Sequence, residues 1–357
     1  MPRAVRIAGT GSYLPGPPVD HDRLRAFMAA HPDKLDRSFR ERILAETGIA
    51  TRHFAMDLDD PSRRESNTSM AEHAARRALG AAGWRPDDVD LLVVTTVAPD
   101  RLMPPTSTLV QEALGIARCA EFEVSANCTA PYKGLSIAAS LLNAGQYRRG
   151  LVCCSQYISF LGMPPWAAPE RMDADEAQLR WIVSDGAAAV ALEEGEPDAG
   201  LRLWLESTGV GEAPGMFLPL GAADPDLGAV RERGTQHVRQ NLLHVLRRGM
   251  ALATPALGRM LEELQVDPRS IDHFMPTVSS MQVARRLQRR WAERFGVREC
   301  AWRLDFTRIG YLGGVGFLVG LDEIVRTGEL RAGQVVLSFA EESSKWMCAG
   351  AVLRWPG

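Results

Sequence analysis

Short apolar runs alternate with amphipathic stretches along the whole chain, and the two periodicities predict strands and helices in turn. Residues 3–8 read as a strand running into Gly9-Thr10-Gly11-Ser12. Helical patterns fill 20–47 and close on Thr47-Gly48-Ile49, and 69–82 read as a helix with alanines and leucine along one face. The run Asp90-Leu91-Leu92-Val93-Val94-Thr95-Thr96 shows no alternation, which predicts a strand buried on both sides. A helix at 106–115, a strand at 120–125, a helix at 129–144 and strands at 150–155 and 187–193 complete the first half.

The same grammar returns after residue 195. A strand at 201–208 leads into an irregular Gly/Pro/Asp-rich stretch at 209–230 and a long helical segment at 236–265. Then come strand 271–276, helix 279–295, strand 300–304, helix 315–327, strand 334–340 and a final strand at 348–355. Such alternation predicts α/β layers rather than separate all-α and all-β units. The repeated rhythm suggests an internal duplication, with one half at 1–194 and the other at 195–357. The stretch 156–181 is too long for a bare connection and predicts a cap or a dimer element.

Composition narrows the class. The 357 residues are 46% hydrophobic and 24% charged, an ordinary globular balance with room for two core-bearing halves. A net charge of −3 gives no global case for nucleic acid. No apolar run reaches the length of a membrane span, and no basic start precedes an apolar run. A soluble, cytoplasmic protein is expected. The six cysteines include no Cys-x-x-Cys pair and no nearby His-x-x-x-His, so neither a metal site nor a disulfide framework is expected.

Candidate chemistry centres on Cys128, in Glu123-Val124-Ser125-Ala126-Asn127-Cys128-Thr129-Ala130-Pro131. A predicted strand ends there and a predicted helix begins. A helix N-terminus offers free N–H groups and partial positive charge, which favour a thiolate and hold a developing oxyanion. From these local residues alone, a nucleophile and a buried structural cysteine both remain open.

Several strings, in order, span nearly the whole chain. They are Ile7-Ala8-Gly9-Thr10-Gly11-Ser12-Tyr13-Leu14-Pro15, Thr47-Gly48-Ile49 with Arg52, and Ser184-Asp185-Gly186-Ala187. Near the end come Leu321-Asp322-Glu323 and Gly328-Glu329-Leu330-Arg331-Ala332-Gly333-Gln334-Val335-Val336. Together they resemble the β-ketoacyl-acyl-carrier-protein synthase III branch of the thiolase superfamily. The resemblance implies a thiolase-like, five-layered αβαβα fold of two duplicated halves, acting as a homodimer. It implies that Cys128 is the acyl-accepting nucleophile. It places Met103 where a residue crosses the dimer interface to close the partner's acyl pocket, the alternative being that Met103 fills core.

The departures from the family pattern bear on mechanism. Thr277 stands where malonyl-condensing relatives place a histidine, and Tyr311 where they place an asparagine. His273 lies four residues before Thr277, roughly 13 Å along a strand, and reads as a histidine satisfied within the sheet. A threonine hydroxyl and a phenol are poorer enolate donors than the residues they replace, which puts ordinary decarboxylative condensation in doubt. The family's glycine-rich loop reads Glu341-Glu342-Ser343-Ser344-Lys345-Trp346. By the resemblance, the Ser344 backbone N–H would pair with that of Cys128 as an oxyanion hole. Glu342 would fall at a pocket-lining position, as a general base or as a solvated or Lys345-paired carboxylate.

Arg289 and Arg290, in a helix that also carries Arg285, Arg286 and Arg294, match positions that face an acidic carrier protein. Arg42 takes the place of an aromatic residue that stacks on the adenine of CoA, which favours a carrier-bound or pantetheine thioester and leaves Arg42 free to meet a phosphate. Gly313-Gly314-Val315-Gly316 lacks the Lys-Ser/Thr ending of a phosphate loop and reads as close backbone approach. Asp185-Gly186 reads as a tight turn between strands, Cys153-Cys154 as packing, and nothing places His244 near Cys128.

The expected function is an acyltransferase or atypical condensing enzyme of specialised, polyketide- or fatty-acid-type metabolism. It would take an acyl group from an acyl carrier protein or CoA thioester, hold it on Cys128, and pass it to a second acceptor, with no permanently bound cofactor. The alternative is a catalytically degenerate partner subunit in a heterodimer with a working ketosynthase-like chain.

Overall fold

The computed structural model describes residues 4–196, 200–218 and 225–357, so positions 219–224 of the irregular stretch lie outside it. The first half runs β1 (Ala4–Tyr13), α1 (His21–Ala30), α2 (Arg37–Thr47), α3 (Asn67–Ala82), β2 (Leu91–Thr96), α4 (Thr106–Leu114) and β3 (Ala120–Ser125). It continues with α5 (Ala130–Asn143), β4 (Arg149–Gln156), α6 (Ala174–Ala177) and β5 (Gly186–Gly195). The second half runs β6 (Leu201–Ser207), β7 (Met216–Phe217), α7 (Leu227–Arg233), β8 (Arg239–Gln240), α8 (Leu242–Glu263), β9 (His273–Thr277) and α9 (Met281–Phe295). It closes with α10 (Phe306–Ile309), α11 (Val315–Arg326), β10 (Val335–Glu342) and β11 (Met347–Arg354).

Five strands form one sheet in the order β1-β5-β4-β2-β3, and four form another in the order β6-β11-β10-β9. Every residue of β2 is buried, as its unbroken apolar run requires of a strand covered on both faces. Helices α5 and α11 lie between the sheets and touch both. Their apolar faces, including Leu135, Ala138 and Leu142 of α5 and Phe317, Leu318 and Ile324 of α11, make the central core. Helix α3 covers the outer face of the first sheet, and α8 with α9 covers that of the second. The result is the αβαβα layering of a thiolase-like fold. Gly9 and Gly11 let β1 lie directly on the alanine face of α3: a Cβ at either would fall 2.4 Å from Ala78 O or 2.3 Å from Ala74 O.

Residues 158–183 pack on α1 and α2 around a core of their own that includes Leu24, Phe27, Ile43, Met163 and Trp181. Asp185 ties this cap to the sheet. Its fully buried carboxylate accepts from Ile158 N and Ser159 N at 2.9 Å, Ala55 N at 2.9 Å and Ser159 Oγ at 2.5 Å. Burial still pushes its pKa up to about 6. The tight turn expected at Asp185-Gly186 is therefore an anchoring carboxylate followed by the first residue of β5.

Two element expectations also change. The strand expected at 300–304 is a single 3₁₀ turn at Glu299–Ala301 followed by one isolated bridge from Trp302 to Phe274. The helix expected from 236 begins at Leu242, because the Asn241 side chain caps it at His244 N and Arg239–Gln240 pair with Met216–Phe217. Among the described residues no helix is long and apolar enough to cross a membrane.

Candidate active site

Strand β3 carries the chain to Ser125, and one turn, with Ala130 N bonded to Asn127 O at 3.0 Å, opens α5. Pro131 sits in the first turn, where its missing N–H costs nothing. Cys128 lies in that turn, and its Sγ is 3.1 Å from the Tyr311 hydroxyl. Tyr311 is held by its own backbone, donating from N to Ile182 O at 3.0 Å and accepting at O from Ser184 N at 2.9 Å. Gly314 packs against the same turn, since a Cβ there would stand 2.0 Å from Cys128 O. The close approach expected of the Gly313-Gly314 string is real.

Cys128 faces a cavity of about 270 Å³. Its walls include Asn127, Gln156, Thr277, Tyr311, Glu341 and Ser343 near the sulfur, and Gly249, Leu287, Trp291 and Phe339 farther in. The mouth lies between α2, which contributes Ile43, Glu46 and Thr47, and the start of α9, which contributes Gln282 and Val283.

Thr277, at the end of β9, lines this cavity, and its buried Oγ1 has only the Tyr132 hydroxyl near it. Ser344 does not appear in the wall. It lies in the β10–β11 turn with its hydroxyl donating to Glu342. Glu342, expected as a pocket-lining base, faces the other way. Its carboxylate accepts from Thr129 N at 2.9 Å and Thr129 Oγ1 at 2.5 Å, so it caps α5 from the buried side. The pocket-facing carboxylate is its neighbour Glu341, because successive side chains of a strand point to opposite faces.

This cap changes the electrostatics expected at Cys128. The free N–H groups of α5 already have an anion, Glu342, so a sulfur anion would meet a full negative charge. Burial first, then the Glu342 charge, push the Cys128 thiol up to about 12, against a smaller downward pull from the Tyr311 hydroxyl. The resting group is a thiol, not the thiolate expected from the helix terminus. Glu341 is shifted in the same sense: burial, then the nearby Glu342 charge, raise it to about 8, with Arg248 pulling down.

Of the binding candidates, Met103 is 85% exposed beside Leu102 at 90%. Arg289 and Arg290 are exposed on α9, whose opposite face, Leu287 and Trp291, reaches the cavity. Arg42 is exposed one residue from the mouth, its guanidinium over the Phe39 ring at 5.8 Å. His273 is buried in β9 with Nε2 3.4 Å from Gln334 Oε1, and His244 packs edge-on against Trp346. Gln156 and Glu341 went unnoticed in the sequence. For Glu341 a signal existed, since Glu341-Glu342 closes a strand and its two side chains must part.

Comparison with known proteins agrees with this architecture. Residues 122–209 match the family described as 3-oxoacyl-[acyl-carrier-protein] synthase III, and residues 261–355 match its C-terminal part. The chain is 31% identical over 345 residues to the β-ketoacyl-[acyl-carrier-protein] synthase III of Methylococcus capsulatus, covering 94% of this chain and 95% of that protein. Its structure superposes on AbyA1, a tetronic acid condensing enzyme, with a TM-score of 0.83 and 28% identity, over 98% of this chain and 99% of that one. The priming β-ketosynthase of the R1128 polyketide pathway shares the fold, with a TM-score of 0.80 at 24% identity over 99% of this chain and 97% of that one. The chain belongs to the β-ketoacyl-[acyl-carrier-protein] synthase III family.

Proposed function

We propose that the protein is an acyl-transferring, atypical condensing enzyme that works through a Cys128 acyl-enzyme. One observation carries the reading: among the described residues Cys128 is the one cysteine on the cavity wall, and it sits in the turn that opens α5, with α2 and α9 lining the same cavity. The Cys128 sulfur would attack the carbonyl of an acyl carrier protein or CoA thioester. The new C–S bond replaces the old one, and the thiol proton ends on the departing pantetheine thiol. The Cys128 N–H would hold the oxyanion, joined by the Ser344 N–H only if the β10–β11 turn brings it to the cavity when the thioester binds.

Thr277 and Tyr311, standing where the family places histidine and asparagine, support an acceptor other than a decarboxylating malonyl group. Tyr311 would orient the sulfur. Arg289 and Arg290 beside the mouth suit an acidic carrier protein, and Arg42, with its guanidinium over Phe39, replaces the aromatic ring that would stack on adenine. The exposed Leu102-Met103 tip suits a homodimer in which it covers the partner's pocket.

The test is intact-mass measurement after mixing with acyl-pantetheine and acyl-CoA donors. One acyl adduct on wild type and none on Cys128→Ala is expected. No adduct on wild type, or an equal adduct on the variant, overturns the reading. Adduct formation that requires a second synthase-like chain would favour the partner-subunit alternative.

A further inference from the structure

Oε1 of Glu341, buried on the wall of the Cys128 cavity, has no partner, and Oγ1 of Thr277 on the same wall has only the Tyr132 hydroxyl near it. Leaving a desolvated acceptor unpaired costs about 1–3 kcal/mol, so a group kept this way calls for a ligand that completes it. Glu341 is also given room. A Cβ at Gly249, inside α8, would stand 2.9 Å from Glu341 Oε2, so the glycine lets the carboxylate lie against that helix.

The chemistry of the wall narrows what completes Glu341. Among the described residues the wall's one cation, Arg180, is fully buried and ion-paired with Asp33 at 2.8 Å, and the wall's Glu176 carboxylate is already paired with His237 at 2.9 Å and with Arg239. An anionic acceptor such as a malonyl group would find no unpaired cation on that wall. A C–H acid brings no hydrogen-bond donor for Oε1. A neutral hydroxyl supplies the donor that Glu341 lacks and suits the apolar remainder of the cavity.

We infer that the cavity takes an acyl acceptor bearing a hydroxyl group, and that Glu341 removes its proton as the oxygen attacks the Cys128 thioester. The inference rests on the acyl-enzyme reading above. The acceptor's O–H bond breaks toward Glu341, a C–O ester bond forms, and the bond from the carbonyl carbon to Cys128 Sγ breaks. The proton then passes from Glu341 to the freed sulfur, restoring both groups. The raised Glu341 pKa suits a base working near neutrality. The groups around it are Glu342 on its own strand, Arg248 and His244 on α8, Cys348 opposite on β11, and Cys128 with Tyr311 at the cavity end.

The test separates loading from discharge. Wild type and Glu341→Gln are acylated with butyryl-pantetheine, freed of donor, and chased with methyl 3-hydroxybutyrate, methyl butyrate or malonyl-pantetheine while the adduct is followed by mass. Both proteins are expected to load, and discharge is read per loaded Cys128, so a change in loading rate does not enter the comparison. The hydroxy ester should discharge wild type with a rate that climbs through about pH 8. The variant should discharge at least about 100-fold more slowly and without that climb. Equal discharge by the two proteins, or faster discharge by malonyl-pantetheine, overturns the inference while leaving the acyl-enzyme standing. Failure of wild type to load overturns both.

Discussion

Replacing Glu341 by glutamine should make the protein more stable in alkali, an unusual direction for removing a native charge. The native carboxyl keeps its proton up to about pH 8, whereas an ordinary glutamate releases it near 4.5. Between those values the folded chain holds a proton that the unfolded chain has lost, so stability falls as pH rises and the fall is complete above pH 8. At about 1.4 kcal/mol for each pH unit, the deficit reaches about 5 kcal/mol at the alkaline end, about 4 kcal/mol of it above pH 5. Glu341→Gln cannot titrate. Its amide carries a roughly constant cost of about 1–3 kcal/mol for unpaired polar atoms, the same at every pH. Urea denaturation of both proteins at about pH 5 and about pH 9 measures the difference directly. The expected change in relative stability is about 4 kcal/mol in favour of the variant on going to alkali. Parallel pH curves, or a shift favouring wild type, would refute the burial and orientation assigned to this carboxylate.

Gly314→Ala should unfold more easily by about 1–3 kcal/mol or more, because its Cβ meets backbone that cannot swing aside. The contacts would be 2.0 Å to Cys128 O and 3.0 Å to Pro131 Cδ, and an unchanged thermal melt would contradict them. Tyr311→Phe and Glu342→Gln should move the Cys128 thiol in opposite directions. Losing the phenol hydrogen bond drives its pKa higher and slows alkylation by iodoacetamide at fixed pH, while losing the Glu342 charge lowers it and speeds alkylation. Rates that shift together would show that the assigned causes are wrong.

The layered architecture was legible because it rests on local pattern. The unbroken run Leu91–Thr96 could only be a doubly covered strand, and the alanine spacing of α3 announced the face on which Gly9 and Gly11 lie. Errors arose where phase or distant contact decides. Residues 300–304 are a short, mostly apolar run that reads as a strand, but a 3₁₀ turn and a single bridge take up that length. Cys128 could be placed at a helix start from its neighbours. That the helix end is already occupied could not, because its anion lies 213 positions away in sequence. The choice between Glu341 and Glu342 turned on strand phase alone, and an error of one residue reverses the face.

That phase gives two adjacent carboxylates opposite physical roles. Glu342 accepts from the Thr129 amide, the Thr129 hydroxyl and the Ser344 hydroxyl, so its carboxylate is engaged by donors on the buried side. Glu341 has an unpaired, sealed oxygen and faces Glu342's charge across the strand, so it holds a proton where an ordinary glutamate would not. The Glu342 charge raises both the sulfur and the neighbouring carboxyl. A pocket built this way holds the Cys128 sulfur as a thiol and sets near it a carboxyl whose pKa is raised to about 8. It also sets a field against a second anion. Under the acceptor proposed above, Glu341 would receive the hydroxyl proton, and the neighbouring Glu342 charge would disfavour an acceptor that is itself an anion.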